Sequence, residues 1–260
     1  LDGNGTALAI KQAYFNWAMN DKVSLTAGQF GTNVGYEVIY ASANFNYSLS
    51  NLFGNSLFYH TGIKLDVAAS DNLAFMGGIN NGLDSKNDNN KSKGVMAQIY
   101  TASTEGWDLY LNYFGSNAGT KDNPANYSWF DITTMYQTSD KIMLGFNAVP
   151  YGALRTDNTT QSWYGAVLYI NNKFALGVRA EYFDNSEGGI YLIDADGGGV
   201  AVTSLTVTGN FDITENLMFK PEFRFDSYDN ANGTNQLFDE GGSLTKNTKS
   251  TIGGAFIFYF

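Results

Sequence analysis

What most limits the fold of this chain is an alternation of large apolar and polar residues at period two, recurring about every eighteen residues along the sequence. In "LMFKPEFRFD", Leu217, Phe219, Pro221, Phe223 and Phe225 take one face of a strand, and Met218, Lys220, Glu222, Arg224 and Asp226 take the other. "FALGVRAEYF" sets Phe174, Leu176, Val178, Ala180 and Tyr182 against Ala175, Gly177, Arg179, Glu181 and Phe183. "TGIKLDVAA" sets Ile63, Leu65 and Val67 against Lys64 and Asp66, and "WDLYLNYF" sets Trp107, Leu109, Leu111 and Tyr113 against Asp108, Tyr110 and Asn112. The facing of 161–171 is the least defined, because "WYGAVLYI" is apolar on both sides.

Thirteen such segments are predicted as strands, at 8–19, 22–30, 57–69, 72–82, 94–103, 106–116, 127–138, 141–150, 161–171, 174–184, 200–212, 216–227 and 250–260. Their connections alternate in length. "MNDKV", "ASDNL", "STEGW", "TSDKI", "INNKF" and "ITENL" are tight polar turns, while 31–56, 83–93, 117–126, 151–160, 185–199 and 228–249 are longer and rich in Asn, Asp and Gly. No heptad pattern, linker or domain break interrupts them, so residues 1–260 read as one domain.

A soluble sandwich would also alternate, but its outward faces would be polar and its loops would not sort by length. Strands of about ten residues, apolar outside and polar inside, with short turns at one end and long loops at the other, define an antiparallel up-and-down transmembrane β-barrel. Closure satisfies every backbone N–H and C=O that lipid cannot hydrate. Trp17, Trp107 and Tyr169 fall near the short turns, as an interfacial aromatic girdle requires. If both ends of such a barrel lie on the periplasmic side, thirteen strands are one short, and parity predicts a fourteenth upstream of Leu1.

Composition narrows the function. A net charge of −10 without a basic run argues against nucleic acid. The absence of Cys removes thiolate and disulfide chemistry, and the single histidine, His60, cannot form a zinc cluster or nominate a catalytic triad, so no enzyme is expected. No cofactor is expected either. The acidic stretches "LDSKNDNN" and "DADGGG" carry oxygen ligands suited to calcium but lack the EF-hand spacing, and solvated turns are the ordinary reading.

The inward charges are the candidate site: Lys64, Asp66, Asp108, Arg179, Glu181, Lys220, Glu222, Arg224 and Asp226. Such residues line a water-filled lumen and bias which solutes enter, or else pair to fill a narrow interior. The 31–56 connection is longer than a hairpin needs, and folded inward it would constrict the channel, with Tyr36 and Glu37 as its contact residues.

Thr251, Gly253, Phe256, Phe258 and terminal Phe260 in "TIGGAFIFYF" resemble the terminal assembly signal of outer-membrane barrels, which implies recognition by the barrel-insertion machinery. The stretch from Gly28, Gln29, Phe30 and Gly31 to Gly35, Tyr36 and Glu37, followed by Tyr59, His60, Thr61 and Gly62 and by Asn81 and Gly82, resembles the OmpL-like β-barrel porin family of Gram-negative bacteria. That resemblance implies a porin in the outer membrane, embedded in lipid and passing small hydrophilic solutes, with no catalytic motif. The alternative expectation is a non-conducting barrel that serves as an accessory subunit of a larger complex or as a homo-oligomer.

Overall fold

A computed structural model describes residues 11–88, 90–103, 105–120, 123–172, 176–190, 199–230, 238–239 and 244–259. The first half contains β1 (Ala13–Asn20), β2 (Val23–Gly31), a helical turn α1 (Asn51–Gly54), β3 (Tyr59–Ser70), β4 (Leu73–Asn80), β5 (Gly94–Ala102), β6 (Trp107–Asn117) and β7 (Asn126–Gln137). The second half contains β8 (Ile142–Arg155), β9 (Thr160–Asn172), β10 (Leu176–Asp184), β11 (Val200–Gly209), β12 (Phe211–Thr214), β13 (Leu217–Asn230), a small hairpin of β14 (Phe238–Asp239) and β15 (Leu244–Lys246), and β16 (Thr248–Phe258).

From β1 to β11 each strand pairs antiparallel with its neighbour in sequence, and β13 pairs β11, β12 and β16, giving one fourteen-stranded sheet, with β14 and β15 paired apart from it. β11 and β12 continue one register against β13, from Val200 opposite Asn230 to Phe211 opposite Phe219, so they form a single span. The result is thirteen crossings, as the alternation predicts. Among the described residues β1 pairs only with β2 and β16 only with β13, and these two edges run in the same direction, so the sheet is not closed. The expected upstream strand lies outside the described residues.

The tight turns form because short polar side chains bond their own backbone: Lys22 N donates to Asn20 Oδ1 at 2.9 Å and Asn216 N to Thr214 Oγ1 at 3.3 Å. One expected long connection is not there. β8 runs past Pro150 to Arg155, leaving only a turn closed by Thr156 N donating to the Thr159 carbonyl at 2.9 Å. The register against β9 shifts between Val149 and Gly152, and a bulge at that point tolerates a residue with no N–H to give the ladder.

Alternation places a continuous apolar surface outside. Phe15, Trp17, Leu65, Phe75, Ile99, Trp107, Leu168, Leu205, Phe223, Phe225, Phe256 and Phe258 are all exposed, a hazard in water and the requirement in lipid. Trp17 and Trp107 sit near the short turns on this surface, but Tyr169 does not: it points inward and is buried. In β9 both faces are apolar, so sequence alone could not orient it. The opposite, inner face is buried over much of its area, with Phe114, Trp129, Trp163, Val167, Phe183 and Val202 packed together.

Candidate functional site: a segment folded into the lumen

Residues 32–58 leave β2, pass along the inner face and return to β3. The descending part is fixed by Asn33 Nδ2 donating to Asn112 Oδ1 at 3.2 Å, by Gly35 N donating to Asp131 Oδ1 at 3.3 Å, and by Tyr36. The Tyr36 ring stacks on Tyr169 with centroids 4.2 Å apart, and its hydroxyl accepts from Asn171 Nδ2 at 3.1 Å. Burial, and secondarily the Glu37 charge, push the Tyr36 phenol up to about 12 against the opposing Asn171 bond, so it stays neutral. The inner wall must be glycine here: a Cβ on Gly145 would meet the Tyr36 ring at 2.6 Å, and one on Gly177 would meet the Phe45 carbonyl oxygen at 2.9 Å.

The segment reaches the short-turn end at residues 41–45. Lys220 Nζ donates to the Ala41 carbonyl at 2.9 Å and to the Asn44 carbonyl, and Ser42 to Phe45 lie beside Asn172, Asn210 and Asp212. From there it climbs the wall rung by rung. Asn46 Nδ2 donates to Thr208 Oγ1 at 2.9 Å, and Tyr47 N and Ser48 N donate to Glu222 Oε2 at 2.8 and 3.1 Å. The Leu49 carbonyl accepts from Arg224 at 2.7 Å and from Arg179 at 3.2 Å. Asn51 N and Leu52 N donate to Glu181 at 3.0 and 2.6 Å, and Ser50 caps α1 by accepting from Phe53 N at 3.0 Å.

At the centre Arg179 and Glu37 form an ion pair of 2.7 Å with side chains 0% and 2% exposed. Glu37 also accepts from Ser50 N and Ser50 Oγ, each at 2.7 Å, so the pair ties the two limbs of the segment to each other and to β10. A buried pair survives desolvation when most of its remaining hydrogen-bonding capacity is met: here both terminal guanidinium nitrogens of Arg179 and both Glu37 oxygens have partners, and Arg179 Nε has none among the described residues.

The expected inner-face charges therefore divide. Arg179, Glu181, Lys220, Glu222 and Arg224 hold segment backbone, and Asp226 supports them by accepting from Arg224 Nε at 2.8 Å. Lys64 and Asp66 stay partly solvated at 24% and 36% and pair with each other at 2.8 Å, while Asp108 accepts from the Tyr100 hydroxyl at 2.7 Å. Tyr36 and Glu37 both lie in the inserted segment, packed on the wall. Thr251 and Gly253 take the inner face of β16 and Phe256 and Phe258 the outer; Phe260 lies outside the described residues.

Sequence reasoning missed Asp131. It is buried on β7 and accepts from Asn112 at 2.7 Å, from Thr133 at 3.2 Å and from Asn147 as well as Gly35. The signal was present: an acid between Trp129 and Thr133 at inward parity. His60 is buried against Phe114, its Nε2 3.2 Å from Thr32 Oγ1, and closes the top of the descending limb.

Of the two acidic stretches, "DADGGG" falls almost wholly outside the described residues. In the other, Asp84 accepts from Phe58 N at 2.9 Å and Tyr59 N at 3.1 Å, where the segment re-enters β3. Burial raises the Asp84 carboxyl above its ordinary value despite those two bonds, so its ionised form costs stability once pH exceeds its unfolded value. Its φ of 42° is a conformation asparagine accepts. Asp84→Asn should therefore hold or raise the melting temperature at pH 7, with the advantage disappearing as pH falls below the ordinary carboxylate range; a melting series from pH 3 to pH 8 checks this.

Fold and inner face together define a lipid-embedded β-barrel with an inserted segment. The chain belongs to the family described as "Putative beta-barrel porin-2, OmpL-like", whose model matches residues 2–260. No curated protein matches it. Among solved structures it is similar to a loop L8 deletion mutant of OmpT, an outer membrane protein of Vibrio cholerae, at 12% identity and TM-score 0.60, covering 92% of this chain and 76% of that one. The in-vitro folded OmpT of Vibrio cholerae gives 11% identity and TM-score 0.59 over 95% of this chain and 88% of that one. At such identities the likeness is one of fold, and together with the family it indicates the bacterial outer membrane.

Proposed function

We propose that the chain is a porin through which small hydrophilic solutes diffuse passively, along a passage narrowed to one side of the lumen by residues 32–58. The observation that carries this reading is the asymmetry of the inner face. Over β9 to β13 its charges are buried against the segment, whereas over β1 to β5 it keeps solvated polar residues and a concavity of about 520 Å³ near the short turns. Small inward residues, Ala18, Ser24, Ala68 and Ala74, line that side. The barrel's acidic balance favours cations in this passage. Outward Phe256 and Phe258, with Phe260, suit recognition by the insertion machinery.

One observation favours the rival reading of a non-conducting accessory barrel: the packing of Phe114, Trp129, Trp163 and Phe183 inside the sheet. Planar-bilayer recording separates the two. Folded protein is expected to give stable ohmic steps with a reversal potential shifted toward cations; a folded, inserted and silent protein would leave the accessory reading standing.

A further inference from the structure

The solvated side of the lumen carries more than small residues. Tyr100 on β5 lies directly opposite Tyr110 on β6, and their rings sit 4.7 Å apart at 32°, forming one aromatic platform beside the concavity. Around it the hydrogen-bonding groups are mostly acceptors. Asp108 takes the Tyr100 hydroxyl on one oxygen, and the Gln98 amide nitrogen is engaged by Asn112 Oδ1 at 2.7 Å. Two cations lie near this wall: Lys64, which donates to both Asp66 oxygens at 2.9 and 2.8 Å, and Lys22 on the β1–β2 turn, which lines the concavity together with Asp21 and Asp66, so an incoming anion meets little unopposed charge.

An aromatic face flanked by acceptors suits a solute with an apolar C–H face and a rim of hydroxyl donors. A hydrated ion has no use for the rings, and an anion meets Asp66 and Asp108. The volume falls within the range of small-ligand sites. Resting on the porin reading, we infer that this wall is a binding site for neutral saccharides, with Tyr100 and Tyr110 as the stacking platform and Asp66, Gln98 and Ser24 as hydroxyl partners.

The test is current noise and blockade of the reconstituted channel by maltotriose, with urea as a neutral solute that cannot stack. Maltotriose is expected to interrupt the current in a saturable manner and urea is not. Tyr100→Ala or Tyr110→Ala should weaken the blockade roughly fivefold to tenfold, the worth of one aromatic contact. Tyr100→Phe, which keeps the ring, should retain most of it and guards against misfolding of the alanine variants. Steps without maltotriose blockade, or blockade unchanged by Tyr100→Ala in folded protein, would overturn the site while leaving the porin reading intact. Absence of steps in the native protein would overturn the porin reading itself.

Discussion

Arg179→Ala is expected to lower the unfolding free energy by about 3–5 kcal/mol, because it strands a buried carboxylate. Arg179 is fully buried, donates to Glu37 at 2.7 Å, and also reaches the Ser48 and Leu49 carbonyls and Thr206 Oγ1. Its loss leaves Glu37 without a counter-ion and the Ser48 carbonyl without its Arg179 donor, while the Leu49 carbonyl keeps only Arg224. The segment can recover hydration only by leaving the wall, so single-channel conductance should rise, roughly twofold if the passage is set by the segment. Adding Glu37→Ala to that background should restore part of the stability, since the orphaned charge goes with it, without restoring the native conductance. Urea titration of refolded protein in detergent micelles, paired with bilayer recording, measures both.

Trp163→Ala should cost a similar amount for a different reason. Trp163 is 1% exposed and packs edge-on against Trp129 with centroids 5.0 Å apart and against Tyr127 at 6.2 Å. Truncating a fully buried tryptophan removes its transfer free energy and leaves a cavity, together about 3–5 kcal/mol. None of the bonds that hold residues 41–52 to β10, β11 and β13 is removed, so conductance should stay near native while the urea midpoint falls. The comparison separates release of the segment from general loosening of the barrel. If Trp163→Ala opened the channel as far as Arg179→Ala, the ion pair would have no special part in it.

The strands were legible because lipid and water on opposite faces impose period two, and in β13 the pattern was clean enough to assign every inward charge. Legibility failed where that contrast failed. Tyr169 lies in a strand apolar on both faces because its inner side packs on Tyr36 rather than on water. β8 outran its expected end because a bulge absorbed Pro150. The path of residues 32–58 has no periodicity to read: it is set by bonds between groups far apart in sequence, such as Lys220 with Ala41 and Glu222 with Tyr47. The inward acids and bases were visible individually. That they hold backbone, with Lys64 and Asp66 left to each other, follows only from the assembled fold.

The most direct test of the inserted segment is the ratio of single-channel conductance between the native protein and Glu181→Ala/Glu222→Ala. These carboxylates accept four backbone N–H groups of residues 47–52 and line no part of the solvated side. If the segment narrows the lumen, the doubly substituted channel conducts more than the native one in the same salt, with larger and noisier steps. Equal conductance from two equally folded proteins would contradict the account, because the passage would then not depend on where residues 32–58 lie.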